Sequence, residues 1–163
     1  MLPTRAIAAF KSVGTQVASD ALAIGNLAGP HPGGAVLIIS GDDPWCDSTQ
    51  VPADSRFLFE HLRMPVVEPG TPQELKDWIG ACLKLSNRSG TYIGYIVTPS
   101  HADGGGTVEC YANQFPTLNM NNRVELDTAS IELDQKVLLP PRTWMRELDM
   151  PARHAMACKV ARE

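Results

Sequence analysis

Gly33-Gly34-Ala35-Val36-Leu37-Ile38-Ile39-Ser40-Gly41-Asp42-Asp43-Pro44 constrains the fold of this chain more than any other stretch. A short, unbroken apolar run rich in branched side chains is bracketed by two glycines and by Gly41-Asp42-Asp43-Pro44. That pattern predicts a strand buried on both faces, as in a parallel sheet covered by helices. Trp45-Cys46-Asp47-Ser48-Thr49-Gln50 continues as a loop at the carboxyl end of the strand. In open α/β sheets that is the edge where ligands bind. A plainer reading, a polar turn that only closes the strand, stays open beside it.

The segments around this strand supply the rest of a layered domain. Thr4–Lys11 allows either a helix by propensity or a short buried strand over Ala6–Phe10. From Thr15 the spacing is helical, with Val17, Ala21, Ile24 and Ala28 on one face, and Gly29-Pro30-His31-Pro32 stops it. After the loop, Ala53–Leu62 reads as a short helix with Phe57, Leu58 and Leu62 inward. Met64–Pro69 then reads as an extended segment. Thr71-Pro72-Gln73-Glu74 is a capping box with proline at the first helical position. It opens a helix that presents Leu75, Trp78, Ile79, Cys82 and Leu83 and ends near Arg88, with Gly90 as its cap. Tyr92–Val97 is the second buried strand. Strand, helix, strand, helix, strand in this order predicts an α/β fold, a mostly parallel sheet with helices on both faces.

From Pro99 the character changes. His101–Gly106 reads as a flexible loop, and Val124–Leu126, Ile131–Leu133 and Val137–Leu139 alternate only weakly. Arg146–Arg162 then reads as a closing helix carrying Leu148, Ala155, Met156 and Val160. We therefore divide the chain into a partial α/β domain over 1–99 and a connector arm with a C-terminal helix over 100–163.

Composition narrows the function classes. A net charge of -4 without a dense Lys/Arg patch argues against nucleic acid as the main partner. No apolar stretch approaches a membrane span, and the start lacks a secretory layout, so a cytoplasmic location is expected. Cys46, Cys82, Cys110 and Cys158 lie far apart without zinc or iron–sulfur spacing and read as free thiols, with Cys82 in the core.

The chemistry-bearing residues gather in the loop. Asp42, Asp43 and Asp47 are crowded carboxylates of the kind that bind metals or move protons. Ser48, Thr49 and Gln50 can hold a polar ligand group, or serve only to satisfy backbone at the start of the next helix. Arg56 can receive a substrate carboxylate as a bidentate donor, or pair at the surface with Asp54 or Glu60. Cys46 with His31, His61 or His101 would make a nucleophile–base pair, against the plainer reading of a loop thiol. Trp45 can wall a pocket or simply be buried. Gly104-Gly105-Gly106 lacks the strand-to-helix context of a phosphate cradle.

In order along the chain, Gly33–Leu37, Gly41–Pro44, Asp47–Gln50, Asp54–Arg56, Pro65–Pro69 and Pro72–Glu74 resemble the indolepyruvate ferredoxin oxidoreductase family. These are thiamine-diphosphate-dependent 2-oxoacid oxidoreductases, and the similarity falls in the later half of their pyrimidine-binding domain. Weaker similarity runs back through Asn26–Gly29, Asp20 and Gly14 to Lys11, and forward through Leu139-Pro140-Pro141 to the final helix. Ser12-Val13-Gly14 departs from the family pattern, in which Gly-rich or His-containing variants are usual.

The resemblance implies a domain that receives the aminopyrimidine of thiamine diphosphate, with Asp42, Asp43, Ser48, Thr49, Gln50 and Arg56 near cofactor or substrate. It implies oxidative decarboxylation of aryl-2-oxoacids to acyl-coenzyme A, with electrons passed through iron–sulfur clusters to ferredoxin. Magnesium and the clusters would belong to other parts of the complex, as would the cofactor-activating glutamate. The chain is then expected to be a piece or small subunit that needs partners. Its first strand and the flank of Val17–Ala28 should be partly bare. The competing expectation is a non-catalytic scaffold subunit that keeps the α/β layer.

Overall fold

The computed structural model describes residues 4–112 and 137–163. β1 (Arg5–Lys11) leads into α1 (Ser12–Val17) and α2 (Ser19–Ala28), then β2 (Ala35–Gly41), α3 (Arg56–His61) and β3 (Val66–Val67). α4 (Pro72–Ser89), β4 (Ile93–Val97) and α5 (Pro99–Ala102) follow, and after residue 136 comes α6 (Arg142–Val160). The described strands form one all-parallel sheet in the order β1-β2-β4-β3. This is the expected α/β arrangement, with β2 central and β4 beside it.

Alternation along β2 feeds two cores. Ile38, with Ile96 of β4, packs under Leu22, Phe59, Leu62 and Met64 on the side of α2 and α3. Leu37, Ile93 and Tyr95 pack with Cys82 and Leu85 of α4 and Ala157 of α6 on the other side. Gly94 is required here: a Cβ at that position would lie 2.6 Å from the Phe59 ring, which rests directly on the strand.

α4 begins and ends as its sequence predicts. Thr71 accepts a hydrogen bond from the Glu74 N–H, Pro72 opens the helix, and Gly90 closes it in the left-handed conformation that glycine tolerates best. Glu74 differs from a full capping box, since its carboxylate reaches one residue further back to the Gly70 N–H at 2.8 Å. Trp78 and Ile79 pack on the core while remaining half-buried.

Three inward faces differ from expectation. α2 buries Leu22 and Asn26, while Val17 is 82% exposed and Ala21 and Ile24 also face outward. Asn26 is the reason. Its Nδ2 donates to the Leu62 and Arg63 carbonyls at 2.9 and 3.2 Å, and its Oδ1 accepts from the Tyr92 N–H at 2.9 Å. A buried amide with all these partners turns the helix about itself. In α3, which starts at Arg56 and not Ala53, Phe59 is fully buried and Phe57 is 73% exposed. In α6, Met150 and Ala157 point inward, while Leu148, Ala155 and Met156 point outward.

β1 is a strand, and it sits at the sheet edge. Ala8 and Phe10 pack toward α2, but Ile7 and Ala9 share the face of Leu37 beyond the cover of α4 and are exposed. Of the first strand and the Val17–Ala28 flank, which were expected to be partly bare, Ile7, Ala9, Val17, Ala21 and Ile24 are exposed, while Ala8, Phe10 and Ala28 are half-buried and Leu22 is buried. His101 and Ala102 lie in α5, where Thr98 and His101 bond reciprocally, and Gly104 to Ala112 carry no regular structure. Val137–Leu139 forms no strand, and the segments at 124–126 and 131–133 lie outside the described residues. No helix among the described residues is long and apolar enough to cross a membrane.

Candidate functional site

Parallel strands put their carboxyl ends on one edge, and β2 delivers Asp42 and Asp43 there. Both carboxylates are buried. Asp42 Oδ2 accepts the Ser55 N–H at 2.7 Å, and its Oδ1 accepts the hydroxyls of Ser55 at 2.5 Å and Ser40 at 3.1 Å. Ser40 lies 2.9 Å from the Thr15 hydroxyl and 2.8 Å from that of Ser55, so the network spans β2, α1 and the start of α3.

Asp43 folds the loop around itself. Its Oδ1 accepts the Asp47 N–H at 2.8 Å, and its Oδ2 accepts the Ser48 N–H at 2.7 Å and the Thr49 hydroxyl at 3.0 Å. Burial works to raise the pKa of Asp43, but these donors outweigh it and hold the carboxyl below its ordinary value. The Asp43 carbonyl also accepts from Cys46 and Ala53, and Cys46 takes a positive φ to complete the turn.

Two of the sequence-predicted site residues therefore act inward, as loop-shaping acids. Ser48 and Thr49 join Asp43, the first through its backbone and the second through its hydroxyl. Gln50 is exposed and Asp47 faces solvent. Arg56 grips Asp54 with two bonds of 2.9 and 2.8 Å and reaches Glu68 at 3.4 Å. Hydrogen bonding to Asp54 raises the pKa of Arg56 further, and in return lowers that of Asp54. Of the two surface partners weighed for Arg56, Asp54 is present and Glu68 stands in place of Glu60. Arg56 also borders an open groove of about 820 Å³ between α3, β3 and α6, floored by Met64, Val66 and Met150.

The nucleophile–base pairing of Cys46 is not assembled. His31 lies before β2, at the opposite end of the strand, where its Nδ1 meets the Pro32 carbonyl. His101 is engaged with Thr98. A thiol does meet an imidazole on α6, where Cys158 Sγ lies 3.8 Å from His154 Nδ1. Trp45 is not buried: it is 79% exposed, and Val51 and Phe57 are exposed as well. Among the described residues no three His, Cys, Asp or Glu side chains group to hold a metal ion.

Sequence reading missed Lys11 and Arg153. Lys11, at the end of β1, donates to the Ser48 carbonyl at 3.3 Å and to its hydroxyl, which pins the loop to the edge strand. Arg153, at the amino end of the strands, donates to the carbonyls of Leu27 at 3.0 Å, Asn26 at 2.6 Å and Gly90. One guanidinium thereby caps the carboxyl ends of both α2 and α4. The available signal was an arginine on the same side of α6 as Met150 and Ala157, with two glycine-ended helices awaiting partners.

The relatives to which this chain is similar share one description. An indolepyruvate oxidoreductase subunit IorA from Archaeoglobus fulgidus is 37% identical over 86 residues, covering 53% of this chain and 14% of the relative. The IorA of Pyrococcus abyssi is 34% identical over 55% of this chain and 13% of its own length. That of Thermococcus kodakarensis is 32% identical over 61% and 16%. The chain thus spans about a seventh of the length of these relatives. No family model and no solved structure matches it.

Proposed function

From its sequence kinship with the indolepyruvate ferredoxin oxidoreductase family, we propose that this chain is a component of a thiamine-diphosphate-dependent 2-oxoacid oxidoreductase. The reaction would be oxidative decarboxylation of indolepyruvate and related aryl-2-oxoacids to acyl-coenzyme A, with ferredoxin as electron acceptor. The observation that carries the proposal is the repeated likeness to IorA subunits, in a chain whose parallel sheet delivers the likeness-bearing loop to its carboxyl edge.

Thiamine diphosphate, when bound, supplies the nucleophilic carbon for decarboxylation; the protein supplies placement. The residues here fit the role of one wall. Asp42 and Asp43 are engaged with loop donors and preorganise the edge; they do not reach outward. Ser48, Thr49 and Gln50 give that wall its polar rim, and Trp45 an apolar face. Arg56, beside the groove floored by methionine and valine, suits a substrate joining an aryl group to a carboxylate. Magnesium and iron–sulfur ligands belong to the rest of the complex on this reading.

A thiamine enzyme holds its cofactor at both ends, so that binding energy orients the reactive carbon. The chain alone should therefore show negligible turnover. Reconstitution with the remaining subunits should restore indolepyruvate-dependent reduction of ferredoxin, and Gln50→Ala or Arg56→Ala should lower it. Robust decarboxylation by the isolated chain would refute the proposal.

One observation favours the second reading, a scaffold subunit: both buried acids are committed to the loop, and Arg56 is already paired. On that reading Gln50→Ala and Arg56→Ala leave the reconstituted rate unchanged, while Trp45→Asp prevents assembly.

A further inference from the structure

β3 is the edge strand opposite β1, and it runs along the open groove of about 820 Å³. Arg56 and Glu60 of α3 stand on one side of that groove, and Glu147, Pro151 and His154 of α6 on the other. The Pro65 carbonyl accepts the Gly94 N–H at 2.9 Å, and Val66 and Val67 stand beside Gly94 and Tyr95. Bonding groups alternate along a strand, so residues 65 and 67 face β4 while Val66 and Glu68 turn their N–H and C=O groups into the groove. Among the described residues those outward groups have no partner. Proline on the open side of an edge strand removes the donors that another strand needs. Here Pro65 and Pro69 fall on the β4 side of the alternation, and the outward donors are intact.

We propose that this groove takes a further strand by edge addition, from a partner protein whose extended segment alternates apolar side chains with Lys or Arg. The inference goes beyond the enzymatic reading and does not depend on it: it uses the backbone of β3, where that reading uses the guanidinium of Arg56. Apolar side chains of the segment would rest on Met64, Val66 and Met150. Charge selects the others. Arg63 is gripped by Glu147 and Arg56 by Asp54, so Glu60 and Glu68 leave the rim with an excess of negative charge.

Shape and charge disfavour the other occupants. Paired strands lie about 4.8 Å apart, and the walls from α3 and α6 hold two such recessed edges further apart than that, so β3 does not pair with β3 of a second copy. The chain's own stretch 113–136 carries Glu125, Asp127, Glu132 and Asp134 against Arg123 and Lys136, the wrong sign for this rim.

The test titrates the full chain, isotopically labelled for amide NMR, with the end-capped peptide Lys-Val-Lys-Val-Lys-Val-Lys. The Val66 and Glu68 amides should shift, and their hydrogen exchange should slow at least tenfold, while that of Val67, already bonded to β4, stays as it was. The same peptide N-methylated at its central valine should not bind, because edge addition needs its backbone. The counterpart with glutamate in place of lysine should bind at least tenfold more weakly. Val66→Pro removes one outward donor and should abolish the protection at Glu68. Glu60→Lys, an exposed change that leaves the fold intact, should weaken the basic peptide and strengthen the acidic one.

Val66 and Glu68 amides that never respond to the basic peptide overturn the proposal. So does an N-methylated or acidic peptide that binds as well, or a Glu60→Lys chain with unchanged preference. Slow exchange at both amides in the peptide-free chain also overturns it: independent of protein concentration, it would mean that the chain fills its own groove, and rising with concentration, that a second copy does.

Discussion

The two ends of the sheet solve opposite problems with the same kind of group. At the carboxyl end, buried carboxylates are surrounded by donors, among them the N–H groups of Asp47, Ser48 and Ser55. At the amino end, a half-buried guanidinium is surrounded by the carbonyls of Asn26, Leu27 and Gly90. A parallel sheet with helical crossovers gathers helix amino ends at one edge and helix carboxyl ends at the other. The partial charges of those ends then dictate which ion belongs where. The acidic loop and Arg153 are thus two results of one topology.

The difference lies in redundancy. The acids draw on many local donors, whereas Arg153 closes two helices by itself. Arg153→Ala should accordingly be the most damaging change, lowering unfolding free energy by about 3 kcal/mol because three carbonyls lose a charged donor. Arg153→Lys, which cannot fork, should recover only part of that loss; urea midpoints would measure both. Equal stability of Arg153→Ala and the parent would remove the clamp from this account.

Asp42→Ala should cost about 2 kcal/mol in the same assay. It orphans the Ser55 N–H, while the hydroxyls of Ser40 and Ser55 keep each other as partners. At that edge too, Thr71→Ala should cost about 1 kcal/mol, the usual effect of losing one amino-terminal cap.

The smallest effect should come from acid, and it should be confined to the loop. The folded-state pKa of Asp43 lies below its ordinary value of 3.8, so its contribution is present above that value. The contribution disappears as pH falls through the depressed pKa. Hydrogen exchange at Asp47 and Ser48 should stay slow to below pH 4 and then quicken, and in Asp43→Asn this acid transition should be absent. A loop that loosens near pH 6 in the parent would contradict the assignment.

Much of the sheet was legible because buried parallel strands announce themselves as continuous apolar runs. β2, β4 and the capped α4 needed nothing beyond local pattern. The faces of α2 and α3 were not legible, since an apolar-only criterion puts Asn26 in water and cannot choose between Phe57 and Phe59. Asn26 is buried only because Leu62, Arg63 and Tyr92 offer complementary groups from distant segments. Likewise, Asp42, Asp43, Ser48 and Thr49 were correctly placed together in one loop. Whether their carboxylates point outward or hold the turn depends on Ser55, Ser40 and Lys11, which no local spacing connects to them.

The Arg153 clamp also bears on the order in which the molecule assembles. Its partners lie 63, 126 and 127 residues away in the chain, so the contact closes long loops that cost entropy before any bond rewards them. The carbonyls it caps exist as a cluster only after α2 and α4 have formed and docked on β2 and β4. α6 should then join a nearly finished structure, after the rate-limiting barrier. Arg153→Ala would speed unfolding and leave the refolding rate almost untouched, the signature of an interaction absent from the transition state.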